Sequence, residues 1–397
     1  MPSTLYRDTA ITDARGPNLQ VGVSILVRDA RIAWIRATGG EEDPGPDVEV
    51  VDASGGTAVP GMVDAHSHVT MPGGAHWIER GLDPPEALLR GAEENGRLLT
   101  QAGVRWARDV GAPLGVDPVD GRHRALSLGL RDRWRGRSDR PYIRAAGTWV
   151  TRAGTLSHGL AAEAEDADAL LAHALRQVDD GADLVKLYLD GPDPATAPWS
   201  ADEVRRVVDG CHARSVRVTA HATRFDGTRV CAEASVDAIE HGFEIDADTA
   251  QLMRRRGIVL VSTLTVMRSW RSFATTTALE RFTTDEGRAR IAAREEAGIA
   301  SVRACHDAGV AIAAGTDFGG GSPRANAIAW EVEALVDAGL EPWEALAAAT
   351  WRGGELLGEP EAGVIREGGP ADFLLVHGDP LSDPHALWRV WRVAWAS

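Results

Sequence analysis

The chain has 397 residues, enough for one large barrel with a small accessory domain or for two to three average domains. Its 44% hydrophobic and 25% charged residues, with 43 Gly and 20 Pro spread along the chain, are those of a globular protein and argue against disorder. A formal net charge of −16 repels phosphate backbones and anionic lipid, so no nucleic acid and no membrane is expected as partner, and a small-molecule substrate is.

The N-terminal residues have no apolar stretch after a basic start, and no run of 18 apolar residues occurs anywhere. Cys211, Cys231 and Cys305 lack CxxC spacing and fit free thiols in a reducing compartment, so the expected location is cytoplasmic. Residues 1–58 read as short strands at 21–27, 32–38 and 48–52, rich in β-branched residues and separated by Gly- and Pro-bearing turns. Residues 359–397 have the same character, with strands at 372–376 and 388–395. The two terminal segments are expected to pair into one small β domain, a β-sandwich.

Between them, 59–358 alternates short apolar runs with longer helical patterns, the mark of βα units and a parallel sheet. Candidate strands lie at 57–63, 104–109, 142–146, 183–188, 216–221, 238–240, 258–262 and 310–314. Helix signals separate them: Pro84 and Pro85 open one helix that Gly103 closes, Ser200 with Glu203 forms a capping box, and Pro342 starts a late helix. Eight such units in about 300 residues predict an α/β fold, a (β/α)8 TIM barrel.

The sharpest local feature is Val63-Asp64-Ala65-His66-Ser67-His68 at the end of the first barrel strand. On an extended backbone, positions i and i+2 face the same side, so both imidazoles can address one divalent ion. Barrel active sites are assembled from the C-terminal ends of different strands. The later strands end in Thr219-Ala220-His221, in Ile239-Glu240-His241-Gly242 and in Gly315-Thr316-Asp317, which adds two nitrogen donors and a carboxylate at the same level. Lys186 sits within the apolar run 183–188. A buried ammonium is costly, so it either pairs with Asp317 or Glu240 or loses its charge, for example by reaction with carbon dioxide to an anionic carbamate.

Taken with Pro60-Gly61-Met62 ahead of the histidine pair, these motifs resemble, in order and interval, those of the amidohydrolase superfamily, in the branch of imidazolonepropionase-like proteins and metal-dependent prolidases and carboxypeptidases. The resemblance covers nearly the whole chain. It implies two divalent metal ions, usually zinc: His66, His68 and Asp317 on the more buried one, His221 and His241 on the more exposed one, and N6-carboxylated Lys186 bridging them. It also implies hydrolysis of an amide or cyclic amide C–N bond of a small molecule or short peptide by a metal-bridging hydroxide, with Asp317 as acid and base, in a homo-oligomer. Ester, lactone or phosphotriester hydrolysis by the same site, and a non-catalytic barrel module, are the competing readings.

For the substrate pocket the candidates are His158, in Leu156-Ser157-His158-Gly159, and Tyr188, two residues beyond Lys186. The segment after Lys186, Leu187-Tyr188-Leu189-Asp190-Gly191-Pro192, departs from the small, Gly-rich run of peptidase-like relatives. Arg144, Arg152 and Arg324 are weaker candidates for a substrate carboxylate. His76 with Trp77 reads as a loop pair, and Trp388, Trp391 and Trp395 as an apolar face. There is no GxSxG elbow, Walker A sequence or GxGxxG motif, which leaves serine-nucleophile and nucleotide chemistry without support.

Overall fold

Five strands open the chain in the computed structural model, which describes residues 3–41, 45–157, 159–193, 195–321, 323–324 and 327–396. They are β1 (Ser3–Ile11), β2 (Gln20–Arg28), β3 (Arg31–Ala37), β4 (Val48–Asp52) and β5 (Gly56–Pro60). The barrel begins with β6 (Met62–Ser67) and β7 (Val104–Asp109), followed by a small hairpin, β8 (Leu114–Val116) and β9 (His123–Ala125). It continues through β10 (Tyr142–Ala145), β11 (Trp149–Arg152), β12 (Ala162–Ala164), β13 (Leu184–Tyr188), β14 (Arg217–Ala222), β15 (Ala238–His241), β16 (Val259–Ser262) and β17 (Ile312–Ala314). The chain returns with β18 (Phe373–His377) and β19 (Val390–Ala394).

Parallel ladders join β6, β7 and β10, and run unbroken from β13 to β17. Two seams complete the ring. Asp183 N donates to Ala145 O at 2.8 Å between β10 and β13, and both Thr316 N and Asp317 N donate to His66 O, at 3.1 and 2.8 Å, between β17 and β6. The result is the predicted (β/α)8 barrel. Both faces of its strands are covered, so polar residues are buried along with apolar ones; all six residues of β6, Asp64, His66 and Ser67 included, are buried.

The expected strand at 57–63 is in fact two. Pro60 offers no N–H to a ladder, and Gly61 passes so close to its neighbours that a Cβ there would lie 3.0 Å from both Arg105 and Trp395. β5 therefore pairs antiparallel with β18 in the small sheet, while β6 starts afresh in the barrel. The other prominent signals are where the residues imply. Ser200 Oγ accepts from Glu203 N at 3.3 Å while the Glu203 carboxylate accepts from Ser200 N at 2.7 Å, and the helix Ala201–His212 buries Val204, Val207, Val208 and Cys211. Burying each of those valines contributes about 1.5–3 kcal/mol.

Strands from both termini form one hydrogen-bonded sheet in the order β19-β18-β5-β1-β2-β3, with β4 also on β1. β1 divides its pairing: Ser3–Arg7 meets β4, whereas Ala10 and Ile11 meet β5. The break falls at Asp8, whose φ of 64° is left-handed. The sheet curls around Tyr6, Ile25, Ile32, Phe373 and Leu375. Arg105, fully buried, fastens this sheet to the barrel through an ion pair with Asp372 at 2.9 Å and a hydrogen bond to Ala396 O. Cys211, Cys231 and Cys305 are free and buried. Among the described residues no helix is long and apolar enough to cross a membrane.

Candidate metal centre

His66 lies near the end of β6 and meets the segment Gly315-Thr316-Asp317 that leaves β17. Glycine is required at 315, because a Cβ would stand 2.4 Å from His66 Cβ. Asp64 ties the two strands together, accepting from His66 N at 3.2 Å, Thr316 N at 3.0 Å and Thr316 Oγ1 at 2.6 Å. Burial pushes its carboxyl up to about 7 against those hydrogen bonds. Asp317 and His241 both adopt left-handed backbone, with φ of 53° and 68°. Each costs about 1–3 kcal/mol outside glycine and persists where the surroundings over-determine it, which is typical of functional sites.

Hydrogen bonds fix the tautomers. His66 Nδ1 is 2.7 Å from Glu240 Oε2, and His68 Nδ1 is 2.7 Å from Gly111 O. Glu240 is ionised: burial raises its carboxyl, but Arg108 at 2.6 Å, Lys186 and His66 outweigh burial and hold it well below the usual range. Both partners are thus pure acceptors, each ring carries its proton on Nδ1, and each Nε2 presents a lone pair. Those two Nε2 atoms are 3.3 Å apart, and they lie 3.5 Å (His66) and 3.2 Å (His68) from Asp317 Oδ1. Burial keeps His66 neutral, and burial with His221 and His66 nearby keeps His241 neutral.

Lone pairs converging at that distance with no proton between them repel unless a cation stands among them. Ligand atoms of His66, His241 and Asp317 all lie within 4.8 Å of one another. Neutral imidazoles with one carboxylate suit zinc, iron or manganese.

Lys186, on β13, is 1% exposed and has neither hydrogen bond nor ion pair among the described residues. The alternative of an ion pair with Asp317 or Glu240 is not realised. Glu240 is already taken, its Oε1 by Arg108 and Thr219 and its Oε2 by His66. Burial lowers the Lys186 amine to about 8 despite the attraction of Glu240.

His221 stands further out, its ring 4.6 Å from that of His241. Its Nε2 is bonded to Asp190 Oδ2 at 3.0 Å, which leaves Nδ1 free to ligate. Tyr188 stacks on it with ring centroids 3.8 Å apart and planes 10° from parallel, and burial raises its phenol so that the hydroxyl keeps its proton. The cavity over these groups, about 370 Å³, reaches His66, His68, Lys186, Tyr188, His221 and Asp317.

Residues 57–393 match the amidohydrolase family. The chain belongs to the amidohydrolase family. An uncharacterized protein of Mycobacterium tuberculosis is 35% identical over 338 residues, which cover 84% of this chain and 82% of that one. The imidazolonepropionase of Anaeromyxobacter sp. (strain K) is 25% identical over 435 residues, covering 95% and 89%. A crystal structure of a Xaa-Pro dipeptidase with bound methionine shares the fold, with a TM-score of 0.83 at 22% identity over 99% of this chain and 98% of that one. As an amidohydrolase the protein is a metal-dependent hydrolase acting on carbon–nitrogen bonds, as the motifs imply.

Within this amidohydrolase site, several groups escaped sequence reasoning. Asp190 holds His221 and also accepts from Thr223 Oγ1 at 2.5 Å; its signal was an acid in the loop directly after the Lys186 strand. Trp149 lies with its ring 5.1 Å from His68, carried there by β11, whose Trp149 pairs with Lys186 of β13. His158 lies outside the described residues. Arg144 is taken up by ion pairs with Asp183 at 3.1 Å and with Glu359, Arg152 lies over the ring of Trp199 at 4.6 Å, and neither lines the cavity over the histidines.

Glu240 orients His66 through its charge, and Glu240→Gln keeps the shape while leaving Arg108 unpaired. The variant is expected to lose about 3–5 kcal/mol in urea denaturation of chelator-treated protein. Its zinc affinity, read by competition with a colorimetric chelator, is expected to fall about 10–100-fold. Wild-type values in both would remove Glu240 from the centre.

Proposed function

We propose that the protein hydrolyses an amide or cyclic amide C–N bond of a small molecule at a centre of two divalent ions, zinc by preference. His66, His68 and Asp317 would hold one ion, His221 and His241 the other, and Lys186, carboxylated on its amine, would bridge them. The observation that carries this reading is the convergence of the His66 and His68 lone pairs on Asp317 Oδ1 within 3.5 Å, in a cavity also lined by Lys186. The unpartnered Lys186 amine supports the bridge: with its pKa lowered to about 8, a fraction is uncharged at neutral pH and adds carbon dioxide, forming an N–C bond and losing a nitrogen proton to give an anionic carbamate.

Ions bound there would supply Lewis acidity toward the substrate carbonyl and acidify water. The remaining work falls to side chains. Asp317 Oδ2 has no hydrogen bond among the described residues, so it is the atom to take the proton of the attacking water and deliver it to the leaving nitrogen. Tyr188, which keeps its hydroxyl proton, donates a hydrogen bond to the substrate. Trp149, Phe243 and Trp270 line the cavity and limit water around the reacting carbonyl.

The test is removal of metal by chelator and its stepwise return, followed on a panel of small amides and cyclic amides beside matched esters. Amide turnover should vanish on chelation and return with zinc. Amide hydrolysis that persists in metal-free protein, or activity confined to the esters, would overturn the reading.

A further inference from the structure

A second cavity, about 510 Å³, adjoins the metal centre and shares Trp77, Thr223, Phe243, Trp270 and Arg294 with it. Its wall is basic in an acidic protein: Arg224, Arg281, Arg290 and Arg294 face the single carboxylate of Glu244. Such a patch, bounded by low-dielectric aromatic walls, concentrates anions.

Three of the four arginines are engaged. Arg224 pairs with Glu244 at 3.3 Å, Arg290 pairs with Glu286 at 3.5 Å, and Arg281 donates to Ala75 O while lying over the Trp77 ring at 4.8 Å. Arg294, midway along the helix Asp285–Asp307, has no hydrogen bond or ion pair among the described residues. It is half-buried where the two cavities meet, and it feels the charge of Asp190 beside His221. A guanidinium carries five N–H donors in a planar fork, and withdrawing them from water without a partner is costly. The partner that satisfies two of them at once is a planar carboxylate. One carboxylate matches, in charge and in planar shape, the one guanidinium of the four that has neither hydrogen bond nor ion pair among the described residues.

We infer that Arg294 anchors a carboxylate of the substrate where the two cavities meet, with Trp77, Phe243 and Trp270 seating an apolar or aromatic group beside it. The scissile amide accordingly belongs to a molecule with a carboxylate and a large apolar side. This assignment rests on the hydrolytic reading of the centre given above, and binding and turnover separate the two.

The binding probe is 3-phenylpropanoate, measured by calorimetry on metal-loaded wild type and on Arg294→Gln and Arg294→Lys, beside the uncharged 3-phenylpropanamide. Metal content is matched by elemental analysis and folding by circular dichroism. Arg294→Gln should raise the Kd of the carboxylate at least tenfold, Arg294→Lys should raise it less, and the preference over the amide probe should collapse. In turnover, wild type should prefer N-benzoylphenylalanine to N-(2-phenylethyl)benzamide at least tenfold in kcat/KM, with most of the difference in KM, and Arg294→Gln should lose that preference. An unchanged Kd in Arg294→Gln, or equal binding of both probes by wild type, overturns the subsite whatever the enzyme cleaves. Arg294-dependent binding without cleavage of any amide would keep the subsite and overturn the hydrolytic reading instead.

Discussion

Asp317→Asn is expected to lower kcat on a cleaved amide by about 10²–10⁴-fold, the range for loss of a positioned acid–base group, with a much smaller change in KM. The substitution suits the question. Asn tolerates the left-handed backbone that Asp317 adopts at φ 53°, so the turn after β17 is retained. Its carbonyl oxygen can still face the His66 and His68 nitrogens, 3.5 and 3.2 Å from the present Oδ1. What is lost is the capacity of the second oxygen to accept a proton. Steady-state kinetics with metal analysis of the same samples separates the two roles. A kcat within tenfold of wild type at full metal content would end the proton-carrying role, whereas loss of metal in step with kcat would reduce Asp317 to a ligand.

The chemistry of this site was legible because it sits at strand ends. A parallel barrel gathers the residues that follow each strand, so His66, His68, His221, His241 and Asp317 could be grouped without coordinates. Contacts across the ring were less accessible. Glu240 bonds to His66 from 174 residues away, and no local pattern says that an acid beside a histidine will orient a different histidine. The Pro60-Gly61 break was hidden because a buried strand and the end of its neighbour read as one apolar run, and the approach of Arg105 and Trp395 to Gly61, 44 and more residues away in sequence, is visible only in the fold. β1 was missed for a related reason: Arg7-Asp8 interrupts the alternation at the point where the strand changes partners. Arg294 carries no signal in a chain with 42 Lys and Arg; it stands out only once the other cavity arginines are seen to be occupied.

Lys186→Ala should have the other large effect, on the metal itself. Lys186 is buried in β13 between Val185 and Leu187, and alanine there removes the amine without disturbing the ladder to β14, in which residue 186 pairs with Thr219. If the amine is carboxylated and bridges two ions, wild type purified without chelator should hold about two equivalents of metal, and the variant one or fewer, with a kcat at least about 10²-fold lower. Bicarbonate should raise metal uptake by apo wild type and leave the variant unchanged, because carbon dioxide has no amine to join. A short-chain carboxylic acid supplied in solution, able to enter the space left by the side chain, should restore part of the second equivalent. One equivalent in both proteins, with no bicarbonate effect, would remove the bridge. The centre would then be mononuclear, held by His66, His68 and Asp317, and the Lys186 amine would need another role, since an unpartnered buried lysine is not explained by packing alone.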